Sequence, residues 1–113
     1  MVAVFCLISF NIVMRKTKEE IIRDIDAHLQ KSVKEYYSDF YIGITNDIER
    51  RLFSEHKVSK TSGWWIWCEG LDKSVAQEVE EYYLNKGMKG DTGGGQDSSH
   101  YVYCYEITRY TEE

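Results

Sequence analysis

Hydrophobic positions along the chain follow two different periods, which predict helices and strands in turn. From residue 18 to residue 34, isoleucine, leucine and valine recur every three or four residues, as on one face of an amphipathic helix. Thr17 and Glu20 form a capping box at the start of this helix. Short runs rich in β-branched and aromatic residues predict three strands, over 40–44, 64–69 and 101–108.

Two more helices are predicted between these strands. Segment 47–55 follows two residues that can cap a helix, Thr45 and Asn46, and it turns Ile48 and Leu52 inward. The next helix begins at a cap, Asp72 or Ser74, and ends at Gly87, because glycine readily adopts the left-handed conformation that terminates a helix. Its apolar stripe consists of Val75, Val79, Tyr82 and Tyr83.

The order of these elements predicts an α+β fold: a small sheet of about three strands flanked by three helices. The aromatic run at the start of 64–69 predicts a strand buried on both faces. Residues 17–113 form the predicted domain, and residues 1–16 form an extension of uncertain role. Its apolar part, 2–13, is too short to span a bilayer. Three interpretations stay open: a buried strand, a membrane anchor, or a start codon upstream of a natural start at Met14.

Composition narrows the classes of function. The 113 residues carry a formal net charge of −5, which argues against a protein that holds DNA through a broad basic patch. Cys6, Cys68 and Cys104 are widely spaced, which predicts reduced thiols and a cytoplasmic location. The three histidines are equally scattered, so no zinc site is predicted.

Segment 41–56 carries the most specific chemistry. Its letters, YIGITNDIERRLFSEH, resemble the second half of the motif of the GIY-YIG nucleases, which hydrolyse phosphodiester bonds in DNA. Members of that superfamily place an arginine ten residues after the tyrosine of their YIG strand. Counted from Tyr41, that residue is Arg51. Many members have a histidine five residues further on, and here it is His56.

A second match lies over residues 64–83. The next helix of the family carries a metal-binding glutamate four residues after an alanine, and Ala76 and Glu80 have this spacing. A helical wheel does not separate Glu80 from Glu78, because both flank the apolar stripe. The choice of Glu80 therefore depends on the resemblance alone.

The first strand of the family motif, GIY, is absent from the sequence. Its tyrosine would precede Tyr41 by ten or eleven residues, and that position falls inside the first predicted helix. The last predicted strand, with Tyr103 and Tyr105, is a candidate to take the place of the missing strand.

The resemblance implies a GIY-YIG-like fold and an endonuclease that uses a single Mg²⁺ or Mn²⁺ ion. Tyr41 would act as the base or orient the attacking water, and Arg51 would stabilise charge on the phosphoryl group. Glu80 would hold the metal ion. His56 joins the expected catalytic residues, and three further residues are expected as neighbours of the site: Asn46, Tyr103 and Tyr105. A partner protein could supply specificity, since a domain of this size has no attached recognition module.

Two alternatives stay open beside the nuclease hypothesis. The absent GIY strand and the acidic charge are compatible with a catalytically inactive GIY-YIG-like module that binds protein or nucleic acid. A regulator tethered to a membrane through residues 2–13 is the third hypothesis. The Gly-rich segment 87–99 lacks the Gly-Lys-Ser/Thr sequence of a P-loop, so we predict a flexible connection and no nucleotide cofactor.

Overall fold

The structure, a computed structural model, describes residues 15–91 and 99–113. The N-terminal run 2–13 and most of the Gly-rich segment lie outside the described residues, and so do the interpretations attached to them. The described elements, in chain order, are α1 (Lys18–Leu29), a 3₁₀ turn (Tyr37–Asp39), β1 (Phe40–Thr45), a π-helix (Glu49–Glu55), β2 (Trp65–Glu69), α2 (Lys73–Lys86) and β3 (Tyr101–Glu106).

The three strands form one antiparallel sheet in the order β1-β3-β2, which confirms the predicted α+β class. The last strand of the chain is therefore the central strand of the sheet. Its Tyr103 is the register partner of Gly43 in β1 and of Trp67 in β2. Because side chains alternate along a strand, these three residues lie on the same face of the sheet.

Helices α1 and α2 cover the opposite face of the sheet and form the main core with it. The core includes Ile21 and Ile25 from α1, Val79 and Tyr83 from α2, and Cys104 from β3. Burial of such side chains contributes about 1.5–3 kcal/mol each. The Tyr83 hydroxyl donates a 2.7 Å hydrogen bond to Asp26 Oδ1, which joins the two helices.

The ends of the helices confirm two sequence predictions and correct a third. The Thr17–Glu20 capping box is present, and Gly87 ends α2 with a φ of 114°. Helix α1, however, ends at Leu29 instead of residue 34, and Val33 is 90% exposed. The chain tightens into 3₁₀-type hydrogen bonds after Leu29, and the Ser32 hydroxyl then accepts a bond from the Lys34 backbone N–H.

The segment predicted as an α-helix over 47–55 forms a π-helix instead. The His56 N–H reaches back five residues to the Arg51 carbonyl, at 2.9 Å. Leu52 is buried as predicted, and it packs on the sheet face that α1 and α2 leave open. The wider turn of a π-helix is rare and frequently occurs at functional sites.

The prediction that 64–69 is buried on both faces is wrong for one tryptophan. Trp67 is 42% exposed, because β2 is an edge strand and the π-helix covers only part of its outer face. Trp65 packs edge-on against Phe53 of the π-helix, whereas Trp67 contacts the ring of Tyr101. Within 15–91 and 99–113, each helix is too short or too polar to cross a membrane.

Candidate functional site

A pocket of about 240 Å³ opens where β1, the π-helix and the middle of α2 meet. We call it the tyrosine pocket, and its principal lining residues are Tyr41, Asn46, Arg51, Glu80, Asp91 and Tyr103. Five of the seven residues expected at the site thus line this pocket: Tyr41, Asn46, Arg51, Glu80 and Tyr103. Tyr103 joins the other four although β3 is far from β1 in sequence. The other two expected residues, His56 and Tyr105, are buried behind the tyrosine rings.

Two tyrosines form one wall of this pocket. The rings of Tyr41 and Tyr103 are nearly parallel, with centroids 6.3 Å apart. Gly43 makes room for the second ring, because a Cβ atom at this position would lie 2.4 Å from the Tyr103 hydroxyl. Any side chain at residue 43 would therefore displace Tyr103, which gives the glycine of the YIG segment a packing reason.

Arg51 connects the two tyrosines to the π-helix. Its positive charge acts on both tyrosine hydroxyls, and its Nη1 atom forms a 2.8 Å ion pair with Glu55. Burial raises the pKa of Tyr41 and of Tyr103, and the positive charge of Arg51 opposes that rise in both. Arg51 thus favours the phenolate form of whichever tyrosine loses its proton.

His56 is fully buried directly behind Tyr103. Its Nε2 atom lies 2.7 Å from the Tyr103 hydroxyl, and its Nδ1 atom lies 2.6 Å from the Glu112 carbonyl oxygen and 3.0 Å from the Tyr105 hydroxyl. Burial lowers the pKa of His56, because the charged imidazolium would lose its hydration. The ring is therefore neutral, and a neutral imidazole has one nitrogen that can accept a hydrogen bond from the Tyr103 hydroxyl.

Glu80 and Asp91 form the acidic side of the pocket. Burial, with the nearby negative charge of Asp91, raises the pKa of Glu80 to about 7. Glu78 points elsewhere, since its side chain is 55% exposed and its carboxylate lies 3.9 Å from Lys18 Nζ. The structure therefore distinguishes two glutamates that helical periodicity alone left equivalent: Glu80, at 8% exposure, is the one in the pocket.

This pair of carboxylates fits a divalent cation. No cluster of three or more His, Cys, Asp and Glu side chains suited to a metal ion occurs in the described part of the chain. Mg²⁺ does not require one, because it is usually held by one or two carboxylates and keeps several waters. Burial, together with the nearby charge of Asp91, raises the pKa of Glu80, and a bound cation would favour the charged form of this carboxylate.

The buried carboxylate predicts a pH-dependent effect on stability. The pKa of Glu80 is raised from 4.5 to about 7, so the folded protein holds a proton there that the unfolded chain releases above pH 4.5. Stability is therefore lost as the pH rises from 4.5 to 7. The difference in free energy of unfolding between Glu80→Gln and wild type should therefore shift in favour of the variant by up to about 3 kcal/mol from pH 5 to pH 8.

Urea unfolding of both proteins in EDTA at pH 5 and pH 8 measures this gain. Glu78→Gln is the matched control, and its difference from wild type should stay nearly constant with pH, because that carboxylate is exposed. A Glu80→Gln difference that is the same at both pH values would contradict the buried, proton-binding state of Glu80.

The start of the π-helix corrects the predicted cap. Asp47 Oδ1 accepts a 3.1 Å hydrogen bond from the Arg50 N–H, and Thr45 Oγ1 accepts one from the Asp47 N–H at 3.0 Å. Asn46 does not cap the helix with either bond. Its side chain lines the pocket and accepts a 3.4 Å bond from Arg50 Nη2.

Asp91 is a pocket residue that sequence reasoning did not select. It lay in the Gly-rich segment, where composition indicated only a connection. The one feature of the sequence that could have indicated Asp91 is its position shortly after the helix that carries Glu80. In the structure, Lys89 pairs with the outer edge of β1, and this pairing brings Asp91 to the pocket.

Comparisons with known proteins leave this site to be interpreted from its own geometry. No family model, curated protein or solved structure matches the chain. Membership of the GIY-YIG superfamily therefore stays a prediction from residues 40–83.

Proposed function

We propose that this domain hydrolyses phosphodiester bonds in DNA with one divalent metal ion, as a GIY-YIG-like endonuclease. The observation that carries the proposal is the position of β3. The resemblance calls for a tyrosine-bearing strand antiparallel to the YIG strand, and β3 is such a neighbour of β1. It supplies Tyr103 to the pocket in which Tyr41, Arg51 and Glu80 already lie.

The proposed base is Tyr103, a role that the sequence had given to Tyr41. Among the described residues, the hydroxyl of Tyr103 lies within hydrogen-bonding distance of the neutral imidazole of His56, and the hydroxyl of Tyr41 does not. The proton of Tyr103 moves to His56 Nε2 in the same step in which Tyr103 takes a proton from the attacking water, and Arg51 stabilises the negative charge on the tyrosine oxygen. Tyr41, on which the charge of Arg51 also acts, orients the attacking water.

Tyr103 takes the proton of this water as the new P–O bond forms. The P–O bond to the leaving sugar oxygen breaks in the same displacement, and that oxygen gains a proton from solvent. Arg51 presents a planar set of donors to the phosphoryl oxygens, on which negative charge accumulates. Glu80, with Asp91 beside it, would hold the metal ion, whose chemistry is to stabilise charge on the leaving oxygen.

Binding of Mn²⁺ tests the metal assignment independently of catalysis. In ¹H–¹⁵N spectra of the labelled protein, we expect substoichiometric Mn²⁺ to broaden the backbone amides near Glu80, Asp91 and Gly43. Glu80→Gln should weaken this binding at least about tenfold, because Mg²⁺ and Mn²⁺ depend on carboxylate oxygens.

Glu78→Gln removes a carboxylate from the same helix and should leave the broadening unchanged. Broadening that is spread over the acidic surface, or that persists in Glu80→Gln, would contradict the metal site. A protein that binds no Mn²⁺ at all would favour the inactive interaction module.

A further inference from the structure

The segment after β3 folds back against the buried histidine. The Glu112 N–H donates a 2.8 Å hydrogen bond to the His56 carbonyl, and the Glu112 carbonyl accepts one from His56 Nδ1 at 2.6 Å. A turn between Thr108 and Thr111 prepares this return, since the Thr111 hydroxyl bonds to the backbone of Thr108 in both directions. The beginning of the segment is fixed as well, since the Ile107 N–H donates a 2.8 Å hydrogen bond to the Asp39 carbonyl.

These contacts determine which nitrogen of His56 carries the proton. A carbonyl oxygen only accepts hydrogen bonds, so the 2.6 Å contact with Glu112 requires a hydrogen on Nδ1. The Tyr105 hydroxyl, which lies 3.0 Å from Nδ1, can donate its hydrogen to the Glu112 carbonyl at 3.4 Å. Its contact with Nδ1 therefore does not require Nδ1 to be an acceptor. In a neutral ring the other nitrogen, Nε2, is then the acceptor, and it faces the Tyr103 hydroxyl.

We propose that the backbone of Glu112 is a positioning element that holds His56 in its Nδ1–H tautomer, so that Nε2 can accept the proton of Tyr103. The catalytic consequence rests on the proposed nuclease function, but the tautomer does not. In the opposite tautomer, Nε2–H would donate to the Tyr103 oxygen, and Tyr103 could no longer give its proton to the ring.

The backbone nature of the contact provides a matched pair of variants. Glu112→Ala keeps the N–H and the carbonyl, and the glutamate side chain is exposed. Glu112→Pro removes the N–H that bonds to the His56 carbonyl, and it fixes the backbone angle at that residue. Only the proline variant should release the segment from His56.

Long-range ¹H–¹⁵N spectra of the imidazole ring report the tautomer directly in the full chain. We expect the Nδ1–H form in wild type and in Glu112→Ala, and loss of that single form in Glu112→Pro. Nicking of plasmid DNA should fall at least about tenfold in Glu112→Pro only, as part of the roughly 10²–10⁴-fold contribution of a proton-transfer step. Circular dichroism establishes that each variant is folded.

A second pair of variants keeps the proposal falsifiable if Glu112→Pro does not fold. His56→Asn places an amide near the Nδ1 position and retains a donor for Glu112, whereas His56→Gln reaches the Nε2 position and offers an oxygen to Tyr103. An amide oxygen accepts a hydrogen bond but is too weak a base to take a proton, so nicking should fall in both variants, whereas His56→Gln should be the more stable to urea because it keeps an acceptor for the Tyr103 hydroxyl. Equal stability of the two variants would count against an acceptor at the Nε2 position.

The outcomes separate the positioning role from the nuclease function. An Nε2–H tautomer in wild type, or an unchanged tautomer in folded Glu112→Pro, would overturn the positioning role. The expected tautomers without nicking by any protein would support the positioning of His56 and contradict the nuclease function.

Discussion

Replacement of Arg51 by alanine is expected to lower the rate of plasmid nicking by about 10³-fold. Two losses combine in this variant. The phosphoryl oxygens lose their planar set of donors, and the hydroxyls of Tyr41 and Tyr103 lose the positive charge that favours their ionised form.

Arg50→Ala is the matched control for this substitution. Arg50 is adjacent in the same π-helix, and its Nε atom pairs with the same Glu55 carboxylate at 3.3 Å. Its side chain is 50% exposed, against 31% for Arg51, and although it also lines the pocket, it is the charge of Arg51 that acts on the two tyrosines. Because exposed ion pairs contribute little, we expect a loss of less than about tenfold. Equal losses in the two variants, measured as initial rates at saturating Mg²⁺, would exclude a specific role for Arg51.

Tyr103→Phe is expected to lower the nicking rate by roughly 10²–10⁴-fold, the usual contribution of an acid–base group. The ring fills the same space against Gly43 and Tyr41, so the variant should fold. It lacks only the hydroxyl that contacts His56 and on which the charge of Arg51 acts. Loss of one buried hydrogen-bond partner should also cost about 1–3 kcal/mol of stability, which urea unfolding measures.

Tyr101→Phe provides the control on the same strand and the same face of the sheet. Tyr101 contacts the rings of Trp67 and His100, away from the principal lining residues of the pocket. Its rate should stay close to that of wild type. If Tyr103→Phe kept full activity and Tyr41→Phe lost it, the base would be Tyr41, as the sequence first indicated.

Local signals in the sequence predicted most of the elements but not their arrangement. The capping box at Thr17 and the glycine at residue 87 are short-range features, and the structure confirms both. The end of α1 depends on a competition between helix continuation and local hydrogen bonds at Ser32, which an apolar stripe that includes Val33 does not reveal. The π-helix likewise differs from an α-helix by one residue per hydrogen bond, a difference that periodicity over seven residues cannot resolve.

The candidate site shows the same limit. Tyr41, Arg51 and Glu80 were selected by spacing within 40–83, and the structure places all three in one pocket. The contribution of Tyr103 depends on which strand occupies the centre of the sheet, and that is set by pairing between residues about sixty positions apart. Asp91 reaches the pocket only because Lys89 pairs with β1, an interaction that the Gly-rich composition does not encode.

A nuclease assay shows whether this domain cleaves DNA with a divalent metal ion held by Glu80. Wild-type protein is incubated with Mg²⁺ or Mn²⁺ on supercoiled plasmid, single-stranded DNA and branched DNA, beside Glu80→Ala and Glu78→Ala. We expect metal-dependent cleavage of at least one substrate by wild type and Glu78→Ala, and loss of that cleavage in Glu80→Ala and in EDTA. Cleavage that Glu80→Ala retains in full, or no cleavage of any substrate by wild type, would contradict the proposed function.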